Sequence, residues 1–317
     1  MSCTLTAEQI KAVKAEGFLN HVGTDNFNAR IITINGRLTA EQMACIGEAA
    51  QKFGNGYTEM TSRLTVEVAG IPYDKIEEFK EFIAKAGLIT GGTGSQVRPV
   101  VSCKGTHCQY GLIDTFSLSE KIHERFYVGY HGVKLPHKFK IAVGGCPNNC
   151  VKPDLNDLGV VGQKIVAYDP DDCNGCKKCS IEAMCPMGAA KLDEDGVMQI
   201  DKDVCNNCGR CVGKCHFDCI EGGTTGYKIY LGGRWGKKIA MGKPMSKIFT
   251  SEEEVLDVIE KAILLFREQG KTGERFAKTI ETLGFENVEA QLLDNGLLER
   301  KQQILDAKLH LSGGAMC

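Results

Sequence analysis

Thirteen of the sixteen cysteines of this 317-residue chain lie between Cys103 and Cys219. Whatever the chain folds into must accommodate that concentration of sulfur. The N-terminal residues from Met1 to Ile10 lack the basic and apolar regions of a signal peptide. No apolar run is long enough to span a bilayer. The expected location is therefore the cytoplasm, where so many thiols serve metal ligation rather than disulfides. The net charge of −2 and pI near 6.4 give no overall attraction to nucleic acid or an anionic membrane.

The densest part holds two runs: Cys173-x2-Cys176-x2-Cys179-x5-Cys185-Pro186 and Cys205-x2-Cys208-x2-Cys211-x3-Cys215. Three thiolates two residues apart can hold three corners of a cubane from one loop, and in two-cluster ferredoxins the fourth ligand comes from the other run. By that rule Cys173, Cys176, Cys179 and Cys215 hold one [4Fe–4S] cluster. Cys205, Cys208, Cys211 and Cys185 hold the second. Zinc ribbons use paired Cys-x2-Cys knuckles instead of triplets. Two departures are the five-residue gap before Cys185 and His216 where a proline is usual. Cys219 is left over as a spare or buried thiol.

The surroundings of this block have α+β character. Residues 39–53 read as a helix capped by Thr39 and stopped at Gly54, and 74–86 as a second helix after Pro72. Arg63 to Val68 alternates as a half-buried strand. A helix is expected from about Phe116 to Tyr127, strands over 138–143 and 227–233, and a long helix over 252–269. The tail from about 272 is helical in pattern. The acidic, turn-rich, cysteine-dense stretch 166–224 therefore reads as an insertion into a host domain.

Four further cysteines, Cys103-x4-Cys108 and Cys146-x3-Cys150, fit neither a ferredoxin run nor a zinc knuckle. With Thr61-Ser-Arg63, Arg98 and Leu135-Pro-His-Lys138-Phe-Lys140, their setting resembles the sirohaem-dependent sulfite and nitrite reductases. The chain resembles the catalytic (C) subunit of the anaerobic sulfite reductases, which joins one sirohaem half-repeat to an inserted ferredoxin domain. Larger relatives fuse two half-repeats.

The resemblance implies an α+β sirohaem–[4Fe–4S] half-repeat with an inserted two-cluster ferredoxin domain. Its parts are a ferredoxin-like half-domain over 1–90, a sirohaem domain over 91–165 and 225–285, the insert over 166–224, and a helical tail over 286–317. It implies that Cys103, Cys108, Cys146 and Cys150 bind a third cubane, with Cys150 also bridging to the sirohaem iron. Gly145, Asn149, Gly232, Gly233 and Arg234 would line the macrocycle. Arg63, Arg98, Lys138 and Lys140 would clamp the anion, with guanidinium forks for affinity and crowded ammonium groups as proton donors. The implied reaction is six-electron reduction of sulfite to sulfide. Its alternatives are ammonia-forming reduction of nitrite, or an iron–sulfur electron carrier without sirohaem. Implied partners are donor subunits or a ferredoxin, and a second copy or partner to complete the pocket.

Some residues receive no such role. Cys45 is expected in a helix core, and Cys3 and Cys317 as terminal thiols. His107 is a loop residue, whereas His137 beside the lysines is a candidate proton relay. Gly105 is expected to allow the tighter turn between Cys103 and Cys108. Along the lysine face of 138–143, Ala142 and Gly144 are small enough to admit a flat ring. The Gly91–Gly94 turn lacks the Lys-Ser/Thr of a phosphate loop, so no nucleotide site is expected there.

Overall fold

The chain is described by a computed structural model covering residues 4–310. Cys3 and Cys317 lie outside the described residues.

The N-terminal unit runs α1 (Ala7–Ala15), β1 (Phe18–Asn20), β2 (Asn26–Ile31), α2 (Ala40–Phe53), β3 (Thr58–Met60), β4 (Val66–Pro72) and α3 (Ile76–Ala84). Its strands form an antiparallel sheet in the order β1-β2-β4-β3. The helices cover it around Phe18, Phe27, Ile46, Phe53 and Phe79. Thr39 and Gln42 make a reciprocal capping box at α2, which is why that helix begins where its sequence signals. The strand expected from Arg63 instead starts at Val66, because Thr61–Leu64 forms a turn with Leu64 at φ +60°.

The second unit comprises β5 (Val101–Ser102), α4 (Thr115–Ile122), β6 (Ile141–Gly144), β7 (Leu158–Ala167), α5 (Ser180–Met184), β8 (Ala190–Leu192), β9 (Met198–Ile200), β10 (Gly222–Leu231) and β11 (Lys243–Phe249). After it come α6 (Glu252–Gln269), α7 (Phe276–Leu283), α8 (Phe285–Leu293), α9 (Gly296–Glu299) and α10 (Lys301–Asp306). The main sheet runs β11-β10-β7-β6-β5, with β5, β6 and β7 parallel and the others antiparallel. Phe139, Ile141 and Val143 alternate into a core shared with Phe266 of α6 and Phe276 of α7.

The strand expected at 138–143 begins only at Ile141, because residue 139 touches its neighbour by a single bridge to Val97. Strands β7 and β10 pair without interruption from Leu158↔Leu231 to Ala167↔Gly222. The cysteine-dense segment 168–221 thus emerges from the open end of a ten-residue ladder and packs its own small core of Ile181, Ala190, Met198, Cys219 and Ile220. No helix among the described residues is long and apolar enough to cross a membrane.

Candidate functional site

Parallel pairing of β5 with β6 brings two cysteine pairs to one place. Ser102 is paired with Val143, so Cys103 and the segment after Gly144 leave the same, C-terminal, edge of the sheet. Gly145 N–H donates to Cys103 Sγ at 3.2 Å. The Cys146 thiol is pushed up by burial and further by the Cys103, Cys150 and Cys108 sulfurs beside it. The four cysteines therefore stand together, and Cys150 is exposed. Gly105 has an ordinary φ, so it does not serve by special backbone freedom. A Cβ there would lie 2.9 Å from Gly145 Cα and 2.7 Å from Thr115 Cγ2. Residues 105–107 do form a tight 3-10 turn between the two cysteines, and the glycine serves it by close packing of the two thiol loops.

Both thiol groups of the cysteine-dense segment also assemble. The Cys211 thiol is pushed up to about 11 by burial, with Cys205, Cys208 and Cys185 adding to the rise. Cys219 is pushed up by burial, then by Cys215, Cys173 and Cys179, so those sulfurs are neighbours too. The five-residue gap before Cys185 is taken up by the short helix α5. Backbone N–H groups of 187–190 converge on Cys185 Sγ and hold its pKa below the usual thiol value despite burial. Among the described residues, no three His, Cys, Asp or Glu side chains are arranged to hold a single metal ion.

The basic residues gather at the other end of the strands. Arg98 N–H donates to Phe139 O at 2.9 Å, and Lys140 N–H to Asp157 Oδ2 at 2.9 Å. Asp157 is fully buried and accepts from Arg275 Nη2 at 2.7 Å and Nε at 3.2 Å. Arg30 pairs with Glu67 at 2.6 Å, and both Arg30 and Arg98 reach the carbonyl of Gly92. Six basic side chains (Arg30, Arg63, Arg98, Lys138, Lys140, Arg275) thus surround two carboxylates. Lys140 responds by falling to about 8, through burial and then Arg63, Arg275 and Lys138. Lys138 is lowered for the same kinds of reason.

His137 is held down to about 4 by burial and these cations, and its Nδ1 accepts from Lys138 N–H. It is thus neutral at pH 7, with its one ring proton on Nε2 and Nδ1 occupied as an acceptor. Arg63 spends four of its five N–H groups on Pro99 O (twice), Ile141 O and Asn156 Oδ1. It ties the N-terminal unit to the sheet. Arg30 and Arg275 are members the sequence reading missed, since each is a lone basic residue without a motif around it.

Lys140 enters β6 and Gly145 leaves it, so cations and thiols are separated by about 16 Å of strand. The crossover 146–157 bridges these ends. Ala142 is fully buried and a Cβ on Gly144 would lie 3.0 Å from Pro153 Cγ, so the chain itself covers the face expected to admit a ring. Gly232 (φ +84°) donates to Asp157 O, and a Cβ on Gly233 would lie 2.2 Å from Asp154 O. Both glycines therefore lie against the crossover. Arg234 pairs with Glu281 at 3.3 Å but leaves its buried Nε unpartnered. Asn149 Oδ1 and Arg98 Nε are likewise buried without a partner. The orphaned donors Arg98 Nε and Arg234 Nε, with the cationic cluster, suit an anionic prosthetic group. The residues fit sirohaem and a cubane.

A mixed α/β host carrying thiol loops on one sheet edge and cations on the other defines an iron–sulfur oxidoreductase for a small anion. Comparison with known proteins makes this specific. Residues 93–298 match the model of the nitrite and sulphite reductase 4Fe-4S domain, and residues 21–86 that of the nitrite/sulfite reductase ferredoxin-like half domain. The chain belongs to the sirohaem-dependent nitrite and sulfite reductase family. An uncharacterized protein of Methanocaldococcus jannaschii is 33% identical over 83% of this chain and 90% of its own length. The coenzyme F420-dependent sulfite reductase of the same organism is 30% identical over 77% of this chain, which spans only 38% of that protein. Dissimilatory sulfite reductase I superposes with a TM-score of 0.67 at 23% identity, covering 84% of this chain and 69% of that one.

Proposed function

We propose that this chain reduces sulfite to sulfide at a sirohaem linked through Cys150 to a [4Fe–4S] cluster, fed by two further clusters in the segment 168–221. The observation that carries the reading is the cation cluster of Arg98, Lys138, Lys140 and Arg275, in which basic side chains outnumber carboxylates. Such a cluster is stabilised by an anion, and Lys140 near 8 can release a proton at neutral pH. Reduction of SO3²⁻ to HS⁻ takes six electrons and seven protons and releases three waters. When bound, sirohaem supplies an iron for the sulfur of the anion, and the clusters supply electrons singly.

The chain's own residues do the rest. Cys103, Cys108, Cys146 and Cys150 would hold the linked cubane. Arg98 and Arg275 hold the anion's charge. Lys138 and Lys140 deliver protons as its oxygens leave as water. Arg234 offers its unpartnered Nε–H to the macrocycle's carboxylates beside Asn149, and Gly145, Gly232 and Gly233 would shape the macrocycle's surroundings by letting the thiol loops and the crossover pack closely. Cys173, Cys176, Cys179 and Cys215, and Cys205, Cys208, Cys211 and Cys185, would hold the other two cubanes. The Cys-x2-Cys-x2-Cys triplets, unlike paired zinc knuckles, support cubanes over zinc, and the sulfurs of Cys185, Cys205, Cys208 and Cys211 are neighbours. Electron-donor subunits or a ferredoxin, and a second copy or partner half, complete the reading.

The test is protein purified without oxygen, its iron counted, its pigment extracted, and its turnover compared on sulfite and nitrite with one donor. Sirohaem with about twelve non-haem irons and preferred turnover of sulfite is the expected result. Faster turnover of nitrite at equal concentration would move the substrate assignment. Eight irons without sirohaem would make the chain an electron carrier.

A further inference from the structure

Strand β7 and the two residues that follow it touch all three thiol groups, and they touch them in order. Val161 of β7 is paired with Gly144, and a Cβ on Gly162 would lie 2.5 Å from Gly145 O. This end of the strand therefore abuts the loop that carries Cys146 and Cys150. Three residues on, Lys164 N–H donates to Asn207 O at 2.7 Å and bridges to Cys208. Tyr168 follows, packing with Cys173 beside the small core of the cysteine-dense segment, and Asp169 N–H donates to Cys219 O at 3.3 Å. At about 3.3 Å per residue the first two stations are about 10 Å apart, and the last lies past the strand's end at Ala167.

A second contact joins the first two stations directly. Leu112 N–H donates to Gly145 O at 2.9 Å, fixing the loop that follows Cys108. Arg210 lies 5.5 Å from the ring centre of Tyr110 in that loop. Gly209 has φ +67°, and a Cβ there would lie 2.7 Å from Lys164 Cβ and 3.8 Å from Leu112 Cδ2. Between the loops is a cavity of about 150 Å³ whose walls include Tyr110, Leu112, Cys146, Pro147, Cys208 and Arg210.

We infer that the thiol group of Cys185, Cys205, Cys208 and Cys211 is the middle station of the electron path, with the group of Cys173, Cys176, Cys179 and Cys215 outermost. The crossing to the linked cubane lies where the Cys208 loop meets residues 109–112. This rests on the proposed cluster content and adds its order. Each transfer moves one electron, oxidising the giving cluster and reducing the receiving one, and no bond forms or breaks. The outer group receives electrons from a low-potential one-electron donor.

The order is read by magnetic coupling in full-length protein reduced with dithionite, using electron paramagnetic resonance. Iron counts on Cys211→Ser and Cys176→Ser first confirm that each has lost about four irons. In Cys176→Ser the signal of the middle cluster stays split by its coupling to the linked cubane. In Cys211→Ser the outer cluster gives an unsplit spectrum. The opposite pattern, with coupling kept in Cys211→Ser and lost in Cys176→Ser, overturns the order. A gentler pair, Tyr110→Ala and Arg210→Ala, should retain all the iron and narrow the splitting between the middle and linked clusters. Unchanged splitting there overturns the crossing point. Lack of sirohaem would defeat the proposed reaction but not this comparison, which needs only the iron–sulfur groups.

Discussion

Replacing Asp157 by Asn tests whether the cation cluster is organised around one buried carboxylate. Asp157 has no solvent exposure, and it accepts from both Arg275 and the Lys140 backbone. The amide keeps the shape but removes the charge opposite Arg275, whose side chain is 14% exposed. Breaking a fully buried pair by losing one partner costs about 3–5 kcal/mol. The partial exposure of Arg275 places this case at the low end, about 3 kcal/mol. An unfolding entropy of about 2.1 cal/mol/K per residue gives a whole-chain value near 0.67 kcal/mol/K, hence a fall of about 4–5 °C in Tm.

The loss has a second signature. Asp157 is what raises the Lys140 pKa against its other neighbours, so in Asp157→Asn that lysine titrates below about 8. Scanning calorimetry of anaerobically purified protein reads the first effect, and the pH dependence of the sulfite KM the second. Combining Asp157→Asn with Arg275→Met should cost less than the sum of the two, because both partners are then gone. A Tm within about 1 °C of the parent, together with additive single effects, would refute the reasoning.

Three further outcomes follow from the same geometry. The sulfite KM should rise as pH climbs through about 8, where Lys140 loses its charge, and Lys140→Arg should move that rise to higher pH. Thermal stability should gain from this group over the same interval, because the unfolded lysine keeps its proton up to about 10.5 while the folded one does not. Gly105→Ala forces the Cys103–Cys108 turn away from Gly145 and should lower the iron count by about four, leaving the signals of the other two clusters in place. Replacing 168–221 by a two-residue turn should close β7 and β10 into a hairpin, leaving a folded host with about four irons; aggregation with loss of all iron would show that the segment is integral to the sheet.

Helices α2 and α6 were legible because their ends are written locally, in the Thr39–Gln42 box and in three glutamates opening α6. Cysteine spacing likewise announced the thiol groups, since most sulfurs of each group are near neighbours in sequence. What the sequence concealed is long-range. Alternation told that Lys138 and Lys140 share a face, but a face has two ends, and only the pairing of β5, β6 and β7 shows that the lysines and thiols occupy opposite ones. Arg275 meets Asp157 across 118 positions, and Arg30 reaches the cluster from another sheet. The start of β4 was displaced because a left-handed residue at Leu64 has no signature a leucine can carry.

The separation of cations from thiols bears on whether one chain can complete the proposed site. If both elements of one chain serve the same anion, the macrocycle must extend across the crossover 146–157. If two copies associate about a twofold axis, the cations of each can face the thiol loop of the other. Cys150 lies exposed, as a surface awaiting a partner requires. The two arrangements differ when inactive variants are mixed. Lys140→Ala and Cys150→Ser, unfolded and refolded together or co-expressed, form mixed pairs in half of the assemblies. Each mixed pair would contain one intact shared site, so about a quarter of the parent activity returns. Within one chain neither variant can supply what it lacks, and the mixture stays inactive. Return of activity at that level identifies a shared site; its absence, with mixed pairs demonstrated by native mass spectrometry, places lysine and thiolate in the service of one chain.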